Sequence, residues 1–157
     1  MRPRIRIGLI VGAIGLFLNI CVAGFIGLCG PAVSLLAGGI AGFFSAQQEK
    51  AATKSEGAKL GSVSGSVAGA LIVIGQILGA VAALAYFQFS GTPVPIGTIP
   101  STSAPLSQQL IFYVSGMGTG LCFGLIGVVL AALAGAGAGY LGTPEQPVAI
   151  QQPPMQQ

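Results

Sequence analysis

The sequence predicts an all-α integral membrane protein: four transmembrane helices in two hairpins, packed through glycine stripes. Three observations point there. Of 157 residues, 53% are hydrophobic and only nine carry charge, six basic and three acidic, which leaves too little polar surface to cover a water-exposed globule. The charges are confined to Arg2, Arg4 and Arg6; to Glu49, Lys50, Lys54, Glu56 and Lys59; and to Glu145. The uncharged tracts between them, residues 7–48 and 60–144, are each long enough to cross a hydrocarbon core of about 30 Å, which takes about 20 helical residues.

As one helix, residues 7–48 would span about 63 Å, twice the hydrocarbon thickness, so residues 1–47 are expected to form a hairpin. Gly27-Leu28-Cys29-Gly30-Pro31 marks its break, because glycine suits a helix C-cap and proline the first turn of the next helix. Helix 1 is placed at about 7–28 and helix 2 at about 31–47. Arg2, Arg4 and Arg6 ahead of an apolar run look like the start of a signal peptide, but no lipobox precedes Cys21 or Cys29, and the segment is read as a retained helix.

Residues 48–59 are expected to be a cytoplasmic polar loop. If that loop continued as an interfacial helix, Lys50 and Lys54 would share a face toward anionic headgroups; a solvated loop is the plainer reading. The second hairpin covers 60–141, with helix 3 at about 60–88 and helix 4 from 109 or 110 to 141. Between them, Pro93, Pro95, Pro100 and Pro105 remove backbone donors and fix φ, so 91–108 is an outer loop. The tail 142–157 is Pro- and Gln-rich and cannot bury enough apolar surface to fold alone. A partner would be needed to order it.

Placing the N-terminus and the 48–59 loop on one side puts all six Lys and Arg there, as the positive-inside tendency prefers. Both termini are then cytoplasmic. Tyr86, Phe87 and Phe89 close helix 3, and Phe112 and Tyr113 open helix 4, at the outer interface. Residues 8–15 and 69–76 share a glycine-flanked apolar pattern, which leaves a parallel internal duplication open. In general style the chain resembles small glycine-rich four-helix membrane proteins of prokaryotes. That resemblance implies a multi-pass protein of the cell's inner membrane and carries over no functional residues.

Gly57, Gly61, Gly65 and Gly69 recur every fourth residue, as do Gly116, Gly120 and Gly124, a series extended by Gly127, Ala131, Gly135 and Gly139. Residues four apart stack along one helix face, where the missing side chain lets backbones approach. Gly8-Gly12 and Gly75-Gly79 are shorter examples. Leucine at Gly65 or Gly120 is expected to force such contacts apart. Glycine faces on at least three helices exceed what four helices need, and the surplus suits a membrane-protein partner or a second copy.

Reaction chemistry is scarce. The chain has no histidine, and Cys21, Cys29 and Cys122 form no CxxC pair, so no metal, cofactor or catalytic residue is expected and the chain is read as a non-enzyme. Six basic residues in two short segments make no footprint for nucleic acid. Within the spans Asn19 and Gln76 are the strongest polar groups, supplemented by Ser34, Ser64, Ser66, Ser115 and Thr119. Both amides lie about 2–3 Å beyond the midpoints of their helices, so they are expected to turn inward at one depth and to pair directly or through water. The function expected is a non-catalytic small subunit packing against larger helices of a multi-subunit membrane complex. The alternative is a homo-oligomeric pore or holin-like permeabiliser.

Overall fold

The computed structural model describes residues 2–23, 30–91 and 99–144. They form four helices: α1 (Pro3–Ala23), α2 (Gly30–Gln48), α3 (Lys54–Ser90) and α4 (Leu106–Leu141). Three of these, α1 over Pro3–Ile20, α3 and α4, are long and apolar enough to cross a membrane. This is the pattern of a multi-pass helical membrane protein. The remaining helix, α2, has 19 residues and ends in Gln47 and Gln48.

The helices begin earlier than hydropathy suggests, for local reasons. In α1, Pro3 takes the first helical position, where its missing N–H costs nothing and its φ is already helical. The polar loop expected at 48–59 shortens to 49–53 because Thr53 caps α3. Its hydroxyl accepts the Glu56 N–H at 3.2 Å, and the Glu56 carboxylate reaches back to the Ala52 N–H at 3.0 Å. That is a capping-box arrangement shifted by one residue. α4 starts at Leu106, directly after Pro105, where Gln109 donates to the carbonyls of Thr102 and Ala104, both at 3.0 Å. The predicted break at 27–29, the stretch 92–98 of the outer loop and the tail from 145 lie outside the described residues.

α2 ends in a Schellman motif. The Ala51 N–H bonds the Ala46 carbonyl at 3.2 Å and the Lys50 N–H bonds that of Gln47 at 3.3 Å, which requires Lys50 to adopt φ 49°. Beside it, the Arg4 N–H, a first-turn donor of α1 without an intrahelical acceptor, donates to Glu49 Oε1 at 2.9 Å. At the opposite end Gln88 of α3 accepts the Tyr113 hydroxyl of α4 at 2.6 Å and donates to the Pro100 carbonyl at 3.2 Å.

α1 lies parallel to α3, with Gly8 beside Ser64 and Gly15 beside Ile72; α2 lies parallel to α4, with Ser34, Gly38 and Gly42 beside Gly127, Ala131 and Gly135. The two hairpins therefore share one direction. Exchange symmetry is absent, however, because α2 touches α3 while α1 does not touch α4 among the described residues. A duplication retained as a symmetric pair of hairpins does not describe this packing.

The interior holds small side chains, including Ala37, Ala41, Ala46, Ala68 and Ala131, and among the described residues the largest fully buried side chain is Ile72. Large apolar residues point outward, Phe17 at 70%, Leu36 at 65% and Ile111 at 69% exposed. Small inside and large outside is the inverse of a water-soluble core. It suits a bundle whose outer solvent is acyl chain.

Candidate functional site: a glycine interface and a layer of buried amides

The seven glycines singled out by spacing all face the contact between α3 and α4, with two different outcomes. In the half nearer Lys54, backbone meets backbone. A Cβ built on Gly61 would meet the Gly135 carbonyl and stand 3.1 Å from the Gly139 Cα; one on Gly65 would meet the Ala131 carbonyl. A Cβ on Gly57 would meet the Thr143 hydroxyl and stand 2.6 Å from the Gly139 carbonyl, and one on Gly69 would stand 3.0 Å from the Val128 Cα. No side chain fits such gaps without moving a helix.

In the other half, side chains fill the space. A Cβ on Gly116 would meet the flexible end of Leu84, and one on Gly124 would stand 2.9 Å from Val73 Cγ1 and 3.1 Å from Gln76 Oε1. At Gly120 the nearest atom is Ala80 Cβ at 3.6 Å, ordinary van der Waals contact. At Gly65 the first added carbon meets backbone. At Gly120 the first added carbon has room.

Sequence reasoning passed over Gly38 and Gly42, although they obey the same four-residue rule. A Cβ on Gly38 would meet the Ala131 carbonyl and one on Gly42 the Gly135 carbonyl, so backbones of α2, α3 and α4 converge around Gly135. On α1, Gly8 faces the Ser64 carbonyl at 2.7 Å and Gly12 the Ala68 Cα at 2.9 Å from the added carbon. Three glycines inside helices behave differently. Gly39, Gly118 and Gly137 would present a Cβ to nothing within 4 Å.

Asn19 is fully buried and Gln76 is 6% exposed, so both amides turn inward. Asn19 Nδ2 donates to the Ile72 carbonyl at 3.3 Å. Ile72 lies one helical turn before Gln76, which puts the two amides at the same level, yet no hydrogen bond joins them. Asn19 Oδ1 and Gln76 Oε1 are buried without a partner among the described residues. Gln76 Oε1 lies beside Gly124, where the absent side chain leaves it space.

The hydroxyls mostly bond within their own helices: Ser64 to the Gly61 carbonyl at 3.2 Å, Ser66 to that of Ser62 at 2.8 Å, and Thr119 to that of Ser115 at 2.9 Å. Such back-bonding satisfies a hydroxyl in an apolar setting. Ser34 is buried against Gly127, whereas Ser115 and Thr119 lie on the outer face of α4. Among the described residues no group of three His, Cys, Asp or Glu is positioned to hold a metal, and Cys122 is exposed. Comparison with protein-family models, curated proteins and solved structures found no match to this chain.

Proposed function

We propose that this chain is a non-catalytic membrane subunit with four crossings that packs against larger helices of a multi-subunit membrane complex, an energy-transducing assembly being one candidate. The observation that carries the reading is the outward placement of Gly39, Gly118 and Gly137, with open space where each side chain would be. Within a helix glycine costs about 1 kcal/mol relative to alanine. Lipid offers no compensation for a missing side chain, whereas a docking helix does, through backbone approach.

Four crossings are supported by α2 itself. Its 19 residues span about 28 Å and run beside α4 from Ser34 to Gly42. The basic residues Arg2, Arg4, Arg6, Lys50, Lys54 and Lys59 gather at the end where α1 and α3 begin and α2 stops, which by the positive-inside tendency faces the cytoplasm. Glycine-stripe packing within the chain, and residence in the inner membrane of a prokaryote, belong to the same proposal.

A homo-oligomeric pore is the second reading, favoured by the exposed hydroxyl residues Ser115 and Thr119 on α4. A pore through one copy is disfavoured by the backbone convergence at Gly135. The chain reconstituted alone into liposomes with a trapped dye separates the two. Tight vesicles support the subunit reading, and rapid leakage replaces it with the pore.

A further inference from the structure

Lys50 occupies a left-handed backbone conformation, φ 49°, at the position after α2 where glycine or asparagine normally closes a Schellman motif. A non-glycine residue there carries some left-handed strain, which a cation at the negative end of the α2 dipole partly offsets. Lys50 stands at the rim of an open groove of about 470 Å³ between the ends of α2 and α4, lined besides by Phe43, Ala46, Gln47, Ala51, Leu141, Gly142 and Pro144. Apart from Gln47 the wall side chains are apolar, and they continue into the exposed belt through Phe43, 39% exposed, and Leu141, 81% exposed.

The groove is not a carbonyl cage for a cation. The Ser45, Ala46 and Gln47 carbonyls accept the N–H groups of Glu49, Ala51 and Lys50, and the Ala138 and Gly139 carbonyls accept from Gly142 and Thr143. The neighbouring carboxylates of Glu49 and Glu56 are engaged by the Arg4 and Ala52 amides, and Lys54 is held 5.3 Å over the Tyr140 ring. What remains at the rim is the exposed Lys50 side chain, beside Gln47, at the level where a multi-pass helical protein meets the headgroups.

We infer that this groove binds one anionic phospholipid, with its phosphate at Lys50 and an acyl chain along Phe43 and Leu141. Charge complementarity selects the headgroup and the apolar walls select a chain over a free anion.

The test is native mass spectrometry of the full chain in mild detergent with added phosphatidylglycerol or phosphatidylcholine. The wild type should retain phosphatidylglycerol about fivefold better, the increment expected of one basic residue at a charged membrane surface. Lys50→Gln and Lys50→Gly should both abolish the preference, and Lys50→Arg should keep it. Lys50→Gly should also unfold at a higher temperature, because glycine relieves the left-handed strain, so its loss of lipid cannot be ascribed to misfolding. Inorganic phosphate at millimolar concentration should not displace the lipid. Equal retention of the two lipids, a preference that survives Lys50→Gly, or displacement by phosphate alone would each overturn the assignment.

Discussion

The carboxylate of Glu49, at the end of α2, accepts the backbone N–H of Arg4, in the first turn of α1, at 2.9 Å. Two helix ends 45 residues apart in sequence are joined by one hydrogen bond, which satisfies an orphan donor and places a negative charge at the positive end of a helix. Glu49→Ala should lower stability in detergent by about 1 kcal/mol, within the range of a lost N-cap. Denaturant titration of the purified protein checks this, and an unchanged midpoint would mean that the contact adds nothing in solution.

The two halves of the α3–α4 contact should respond differently to the same chemistry. At Gly61 the added carbon would meet the Gly135 carbonyl, so Gly61→Ala must push two backbones apart and should cost about 1–3 kcal/mol. At Gly120 the nearest atom is 3.6 Å away, and Gly120→Ala should be neutral or stabilising by up to about 1 kcal/mol, the helix propensity that alanine regains. Equal sensitivity at the two sites would contradict the geometry.

Much of this architecture was legible in the sequence, and the misses have identifiable causes. Charge-free tract lengths anticipated four helices, three of them long and apolar enough to cross a membrane, and the glycines at four-residue spacing on α3 lie toward α4. The start of α3 was written in Thr53-x-x-Glu56, but the surrounding lysines gave that stretch the look of a solvated loop. Gly38 and Gly42 sit in a short helix where two glycines alone make a weak pattern. That Asn19 and Gln76 lie level with each other was readable, because rise per residue is fixed; their partners were not, because those depend on the rotation of each helix. Nothing local foretold that Lys50 would take a glycine's conformation.

Asn19 donates one hydrogen bond to the Ile72 carbonyl, while its own oxygen has no partner among the described residues. Interhelical bonds of this kind contribute about 0.6 kcal/mol on average, and leucine removes the unpaired oxygen along with the bond. Asn19→Leu should therefore fall within about 1 kcal/mol of wild type. Asn19→Asp places a charge among apolar helices and should cost about 2.5–3.5 kcal/mol. Denaturant titration compares them, and a large loss in the leucine variant would assign the amide a role beyond packing.

Topology gives a prediction independent of packing. With Cys21, Cys29 and Cys122 replaced by alanine, a cysteine at Ser103 in the outer connection should react with an impermeant thiol reagent on intact cells, and one at Ser55 should not. Reversed labelling would invert the proposed orientation. Labelling at both positions would mean an even number of crossings between them, contrary to the single passage of α3.

The most direct measurement of the proposed role is the mass and composition of the assembly extracted from its native membrane in mild detergent. The account predicts this chain in fixed stoichiometry with larger, different membrane chains, and loss of that association in a Gly118→Leu, Gly137→Leu double variant whose own unfolding is unchanged. A monomer, or an assembly made only of copies of this chain, would contradict it.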